Sequence, residues 1–271
     1  MALRLAIIGY GEVGTLFAHD LLKNGLDAVA VYDIKFANPA LAAPLLARAQ
    51  ADGVHAAASA AEAAEGADIV ISAVTADQAL TVAQDAAGYL KPGQILFDVN
   101  SAAPHTKVAA ARAVEAVGAD YVEGAVMAPV GAPRIAVPIL GGGPKAEAVA
   151  AALVPLGMNI RPVSDVHGRA SAMKLCRSIM VKGIEALIVD CARAAKAFDV
   201  ENEVFSSLDA SFPGMNFPAL APNMAERVAT HGVRRAAEMR EAADMLAALG
   251  LVPDLARAVA DAQQRGAVKK A

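Results

Sequence analysis

The chain has 271 residues and a formal net charge of -4, long enough for one or two domains with cores of their own and without the basic footprint of a nucleic-acid binder. Hydrophobic residues make up 56% of it, but Trp is absent and aromatics are few, so packing rests on small aliphatic contacts that suit close-packed helices. No apolar run approaches the length of a membrane span, and the apolar start at residues 3–9 is too short for a secretory signal and lacks a cleavage site. The expectation is a soluble cytoplasmic protein that engages neither membrane nor nucleic acid.

The first strand candidate, residues 4–8, runs into Gly9-Tyr10-Gly11-Glu12-Val13-Gly14, and a helical pattern follows over residues 15–24. A G-x-G-x-x-G triplet alone is weak, because glycine triplets occur in many loops. Strand, glycine loop and helix in this order make a dinucleotide-binding turn. There the first glycine makes the tight turn, the second lets backbone approach a pyrophosphate, and the third lets helix and strand pack closely. The helix start adds free N–H groups and a positive dipole end. Gly9, Tyr10, Gly11, Glu12, Val13 and Gly14 are therefore the expected cofactor-binding segment, while the side chains of Glu12, His19 and His55 read as structural.

The second strand, residues 28–32, ends at Asp33, nineteen positions after Gly14. A carboxylate there accepts hydrogen bonds from the adenosine ribose hydroxyls and repels a 2′-phosphate, which favours NAD. Lys35 keeps NADP open, since a basic residue two positions on can pair with that phosphate. Further strands are expected at residues 69–72, 95–98, 121–123 and 136–140, with a last one near 159–162. Helical stretches at 39–51, 76–90, 104–117 and 145–153 lie between them. This alternation predicts an α/β fold with a Rossmann-type, doubly wound, mostly parallel sheet.

Ligands in such a sheet bind beyond the carboxyl ends of the strands. Ala73, Val74 and Thr75 are placed to line the cofactor's ribose and nicotinamide side. Asn100 and Ser101 offer an amide and a hydroxyl where cofactor and substrate meet, although Ser101 also fits as an N-cap for the helix beginning at Pro104. Arg134 is either an anion ligand or an exposed loop residue.

Beyond residue 163 no strand is expected. Met173, Cys176, Met180, Ile184, Leu187 and Cys191 follow helical spacing and predict one apolar face of a long helix over residues 166–198. Four more helices are expected at 202–210, 219–231, 232–249 and 253–266, with a loop at 212–218. The boundary falls near 163: a dinucleotide-binding domain at 1–163 and an all-α substrate and dimerisation domain at 164–271. Cys176 and Cys191 read as reduced core residues. No metal-ligand spacing appears, and no metal is expected.

Lys174 lies near the start of the long helix, with Ser178 one turn on and on its face. A lysine in a partly desolvated pocket has a lowered pKa and can exchange a proton with a hydroxyl or carbonyl. On periodicity alone, a solvated helix lysine fits better. His231, Arg235 and Glu238 share another helix face, which is either a polar wall of a substrate pocket or an ion-pair surface. Arg234 and Glu241 fit the ion-pair surface.

Taken together, these segments resemble the β-hydroxyacid dehydrogenases, the superfamily that includes 3-hydroxyisobutyrate and 6-phosphogluconate dehydrogenases. Gly9 to Gly14 looks like its opening cofactor motif. Asp98-Val-Asn-Ser101-Ala-Ala-Pro104 resembles its D-x-S-T-x-x-P substrate segment. Tyr121-Val-Glu-Gly-Ala-Val-Met-Ala-Pro129 resembles its D-A-P-V-S-G-G segment, and Pro138-Ile-Leu-Gly-Gly-Gly143 the strand that follows. Gly168 through Lys174 to Ser178 resembles its catalytic helix, and the run from His231 to Met239 is similar to the end domain of a bacterial branch with a distinct C-terminal helical domain.

The resemblance implies an NAD(P)-dependent oxidoreductase that moves hydride between nicotinamide and a hydroxyl or carbonyl carbon. It implies Lys174 as catalytic acid/base, with Ser101 and Ser178 beside it. Asn100, Ser101, Met127, Ala128, Pro129, His231 and Arg235 would face a small-molecule substrate, and a homodimer would form through the C-terminal helices. Two departures stand out. Ser178 occupies the place of the family's asparagine, with a shorter reach. Met127-Ala128-Pro129 replaces the Ser-Gly-Gly that binds a substrate carboxylate; proline removes an N–H and methionine adds apolar bulk. A larger or less charged alcohol, aldehyde or ketone fits these changes better than a small hydroxyacid. An imine reductase and a non-catalytic nucleotide-sensing protein are the alternatives.

Overall fold

A computed structural model describes residues 3–267. Eight strands form one sheet: β1 (Leu5–Ile8), β2 (Val29–Tyr32), β3 (His55–Ala56), β4 (Ile69–Ser72), β5 (Ile95–Asp98), β6 (Asp120–Val126), β7 (Pro138–Gly142) and β8 (Asn159–Ser164). Their spatial order is β3-β2-β1-β4-β5-β6-β7-β8. The first six are parallel, β7 runs antiparallel to β6, and β8 runs parallel to β7. The helices between them are α1 (Glu12–Lys23), α2 (Pro39–Ala51), α3 (Ala60–Ala64), α4 (Ala79–Ala86), α5 (Pro104–Glu115) and α6 (Ala146–Leu153).

Both faces of the sheet are covered, so its central strands read as continuous apolar runs rather than alternating ones. Along β1, Leu5 and Ile7 enter one core with Phe17, Leu21 and Val149. Ala6 and Ile8 enter a second core, largely of alanine, with Ala83, Ala110 and Tyr121. Small side chains let the helices lie close to that face, as the composition suggested.

Three local differences from expectation have physical reasons. Strand β3 is two residues long, too short to leave an alternating pattern. Strand β7 lies two residues later than expected because its glycines belong to it: a Cβ at Gly142 would press on the carboxylate of Glu123, its partner on β6. The helices expected at 219–231 and 232–249 are one helix.

The helical part comprises α7 (Arg169–Ala197), α8 (Glu201–Ser211), α9 (Phe217–Ala248) and α10 (Asp254–Gly266). Gly232 does not break α9. It makes room for α10, since a Cβ there would run into the Gln263 carbonyl oxygen. The chain divides into two compact units between Lys174 and Leu175, inside α7, eleven residues beyond the boundary expected where the strand candidates end. In the second unit Ile188, Phe205, Phe217 and Ala221 form a small core.

The face of α7 that is buried is not the one its apolar spacing marks. Ser171, Leu175, Ser178, Lys182, Glu185 and Val189 are buried. On the expected apolar face, Met173, Met180 and Leu187 are exposed, at 45%, 63% and 71%, and Cys176 is exposed and Cys191 half-buried. Cys176 is thus not a core residue. The two stripes repeat with the same period, and periodicity cannot say which of them the fold turns inward.

Candidate active site

The order reverses at β1, which has β2 on one side and β4 on the other, and the glycine loop leaves the sheet at this switch point. Gly9 takes φ +97°, a left-handed conformation suited to glycine. Its N–H donates to the Tyr32 carbonyl at 2.8 Å. Gly14 sits on the Gly9 carbonyl oxygen, where a Cβ has no room. Gly11 is different: a Cβ there would meet nothing within 4 Å. It is also the N-cap of α1 and supplies no side-chain cap, so the loop leaves space and donors for an anion. Val13 packs partly against the core, and the side chain of Glu12 is exposed.

Tyr10 turns inward and meets Phe36 edge-on, with centroids 6.3 Å apart. Burial, and then the nearby Asp52, push its phenol up to about 12. Its N–H donates to Asp33 Oδ2 at 2.8 Å, and the Lys35 N–H donates to Asp33 Oδ1 at 2.9 Å. Asp33 therefore stitches the end of β2 to the glycine loop while each oxygen keeps a lone pair. The side chain of Lys35 is exposed, Ala73 and Val74 are half-buried, and Thr75 is exposed.

After β5 the chain is fixed by Asp98. Its Oδ1 pairs with the Lys107 ammonium at 2.9 Å, both side chains being 1% exposed, and accepts both the Asn100 backbone N–H and its Nδ2. Its Oδ2 accepts the Tyr121 hydroxyl at 2.6 Å. Burial and the Asp98 charge push that phenol well above its ordinary value. Asn100 also donates to Ser72 Oγ at 2.9 Å and accepts the Val74 N–H at 2.6 Å. The amide ties together the ends of β4 and β5 and is 4% exposed, so it acts on Ser101 by holding the loop.

Ser101 follows, half-buried, and Lys174 Nζ donates to its Oγ at 2.9 Å. The N-cap role that Ser101 also fitted is not realised: Ala103 occupies that position of α5 without a side-chain cap, and Pro104 begins the helix. Lys174 stands in the second turn of α7, whose first turn is tied to Glu123 on β6. The two Glu123 oxygens accept the Ala170 N–H at 3.0 Å, the Ser171 N–H at 3.3 Å and Ser171 Oγ at 2.7 Å. Beyond β6, Met127 packs against Ala125, Leu140 and Ala170, and its N–H is taken by the Pro138 carbonyl at 2.9 Å. Ala128 is half-buried and Pro129 exposed.

Within the second unit, Ser178 accepts a hydrogen bond from Lys182 at 3.0 Å, a lysine the sequence reading passed over. Lys182 pairs with Glu238 at 2.7 Å. Burial pulls the Lys182 pKa down, and Glu238 works against that. Arg235 is buried and its guanidinium pairs with Glu185, which takes it out of the expected substrate set. His231 is exposed.

Residues 4–159 match the family model of the NAD binding domain of 6-phosphogluconate dehydrogenase. The chain belongs to this family. Residues 195–266 match a second model, a domain of unknown function designated DUF1932. No curated protein matches the chain in sequence. Among solved structures, a conserved hypothetical protein from Sinorhizobium meliloti 1021 is 36% identical, with 97% of this chain and 88% of that one covered and a TM-score of 0.86. A conserved protein of unknown function, described as structurally similar to 3-hydroxyacid dehydrogenases, is 28% identical, with 97% and 98% covered and a TM-score of 0.80. The 3-hydroxyisobutyrate dehydrogenase of Mycobacterium tuberculosis, solved with L-serine, is 19% identical, with 98% and 94% covered and a TM-score of 0.79. At that identity the likeness is one of fold.

The NAD-binding unit contains two charge pairs that single-residue reading missed. Lys107 shares a helical face with Ala110, Ala111 and Val114, all buried, so its spacing marked it as inward-facing. Arg134 is exposed, the second of its two expected placements, and its guanidinium is engaged within the protein. It takes φ +52° and grips Asp20 of α1 through Nε and Nη2 at 2.5–3.1 Å. Burial opposes ionisation of Asp20, but these bonds and the Ile135 N–H prevail and hold its carboxyl below the ordinary value.

Proposed function

We propose that the chain is a nicotinamide-dependent oxidoreductase acting on a hydroxyl or carbonyl carbon, with Lys174 as its acid/base. The observation that carries this is the 2.9 Å hydrogen bond from Lys174 Nζ to Ser101 Oγ, beyond the carboxyl end of β5 in an NAD-binding family. When bound, the nicotinamide supplies or accepts the hydride. In the reducing direction the Lys174 ammonium donates a proton to the oxygen that gains charge; in the oxidising direction its neutral amine takes the proton from the hydroxyl. Ser101 orients that oxygen and the lysine, and Asn100 holds Ser101. Ser178 accepts from Lys182, so its contribution is to the packing of α7.

The open backbone at Gly11 and the uncapped start of α1 suit a pyrophosphate, and the carboxylate of Asp33 suits unphosphorylated ribose hydroxyls, so NAD is the proposed cofactor. Asp33→Asn, which keeps one acceptor oxygen, is expected to move the NADPH/NADH affinity ratio toward NADPH by roughly tenfold, because a like-charge repulsion worth about 1 kcal/mol or more is removed. Fluorescence titration with both cofactors reads the ratio, and an unmoved ratio rejects the assignment.

Met127 and Pro129 stand where the resemblance implies carboxylate-binding residues and add apolar surface without new N–H donors, which favours a neutral alcohol, aldehyde or ketone. The same segment is what supports the second reading, nucleotide sensing without turnover. The uncovered stripe of Met173, Met180 and Leu187 supports a homodimer through α7. Light scattering at micromolar concentration should give the dimer mass for the native chain and the monomer mass for Met180→Glu; a monomeric native chain contradicts the dimer.

A further inference from the structure

We infer that Glu123 is a positioning residue that sets the placement of the Lys174 amine through the first turn of α7. The inference rests on the reading of Lys174 as the acid/base. A helix start leaves four N–H groups without intrahelical partners, and a capping side chain normally comes from the residue just before the helix. Here that place is held by Gly168, which has no side chain. The cap comes instead from a strand 47 residues earlier in the chain.

Glu123 is completely buried, and a buried carboxylate needs charge-assisted hydrogen bonds to remain there. Its three bonds all go to Ala170 and Ser171. Room for it exists because β7 places Gly142 opposite. Ser171 Oγ also reaches the Gly168 carbonyl at 3.1 Å, which closes the turn. Lys174 follows Ser171 by three residues, so any tilt or fraying of this turn is passed to its amine.

Glu123 on β6 is paired with Asp98 on β5. Asp98 fixes the loop that carries Ser101; Glu123 fixes the helix that carries Lys174. The 2.9 Å bond between the two side chains thus closes a frame whose two anchors are neighbouring buried carboxylates. A carboxylate at this helix start also offsets the positive dipole end that a lysine in the second turn would otherwise face.

The test uses the full chain with Glu123→Gln, the milder Ser171→Ala, and Gln94→Ala as a destabilised control. Gln94 bonds the Ala64 and Ala67 carbonyls before the start of β5, at the other end of that strand from Ser101. Two readouts are taken: steady-state kinetics with NADH and whichever carbonyl the native chain reduces, and acylation of Lys174 by acetic anhydride, scored by peptide mass against the exposed Lys23. For Glu123→Gln, kcat should fall by about 10²-fold, the scale for misplacing a reacting group by about 1 Å, with KM and NADH affinity within about twofold. Lys174 acylation should change in the same variant. Ser171→Ala should move both readouts in the same direction by less, and Gln94→Ala neither. Unchanged kcat and acylation in Glu123→Gln, or equal losses in Gln94→Ala, overturn the inference. A native chain that reduces no carbonyl defeats the catalytic reading instead, and the acylation ratios still decide whether Glu123 places Lys174.

Discussion

Lys174→Ala should lower turnover by about 10²–10⁴-fold, the usual range for a positioned acid/base, and leave NADH affinity within about twofold. The asymmetry follows from where the residue stands. Its amine bonds Ser101 beyond β5, whereas the cofactor loop is shaped by Gly9, Gly14 and the Tyr10–Asp33 bond on β1 and β2. Removing the amine leaves those elements alone. Loss of kcat with an unchanged KM would mark an interaction made in the transition state. Stopped-flow and equilibrium NADH titrations measure the two quantities separately, and an unaltered kcat removes Lys174 from the mechanism.

Asp98→Ala should give the largest loss of stability, about 3–5 kcal/mol, the scale for removing one partner of a buried ion pair. The substitution strands the Lys107 ammonium, 1% exposed, and takes acceptors from the Tyr121 hydroxyl and the Asn100 amide. Pairing the change with Lys107→Met should recover part of the loss, because no charge is then left uncompensated. Urea denaturation of the single and double variants measures both effects. A single variant within about 1 kcal/mol of the native chain would show that the pair does not anchor the β5 loop.

The fold was legible wherever sequence order and local chemistry coincide. A buried parallel strand leaves an unbroken apolar run, as at Leu5–Ile8, and the glycine loop shows in the sequence because Gly9 and Gly14 answer steric demands while Gly11 leaves open backbone. Lys174 and Ser101 were legible only jointly, through the motifs around them, since a helical lysine carries no mark of its partner. What stayed hidden depends on contacts distant in sequence. Nothing near Glu123 announces that it caps a helix beginning 46 residues later, and nothing near Arg134 or Arg235 announces Asp20 or Glu185. For both arginines the sequence leaves two readings open, a ligand-facing role or an exposed or ion-pair one, because an arginine's partner is chosen by the tertiary fold. The apolar stripe of α7 misled for a related reason: it is a real stripe, and the proposed second copy of the chain is what would cover it.

A reductase screen of the purified chain with NADH and NADPH, against neutral aldehydes and ketones, matched hydroxyacids and ketoacids, and cyclic imines, tests the proposed activity. Nicotinamide absorbance is followed, and Lys174→Ala is run beside the native chain. NADH consumption is expected with at least one neutral carbonyl, with weaker activity on its carboxylate-bearing counterpart and loss of both in the variant. Tight NADH binding with no turnover on any member of the panel would contradict the proposed activity and leave a nucleotide-sensing protein.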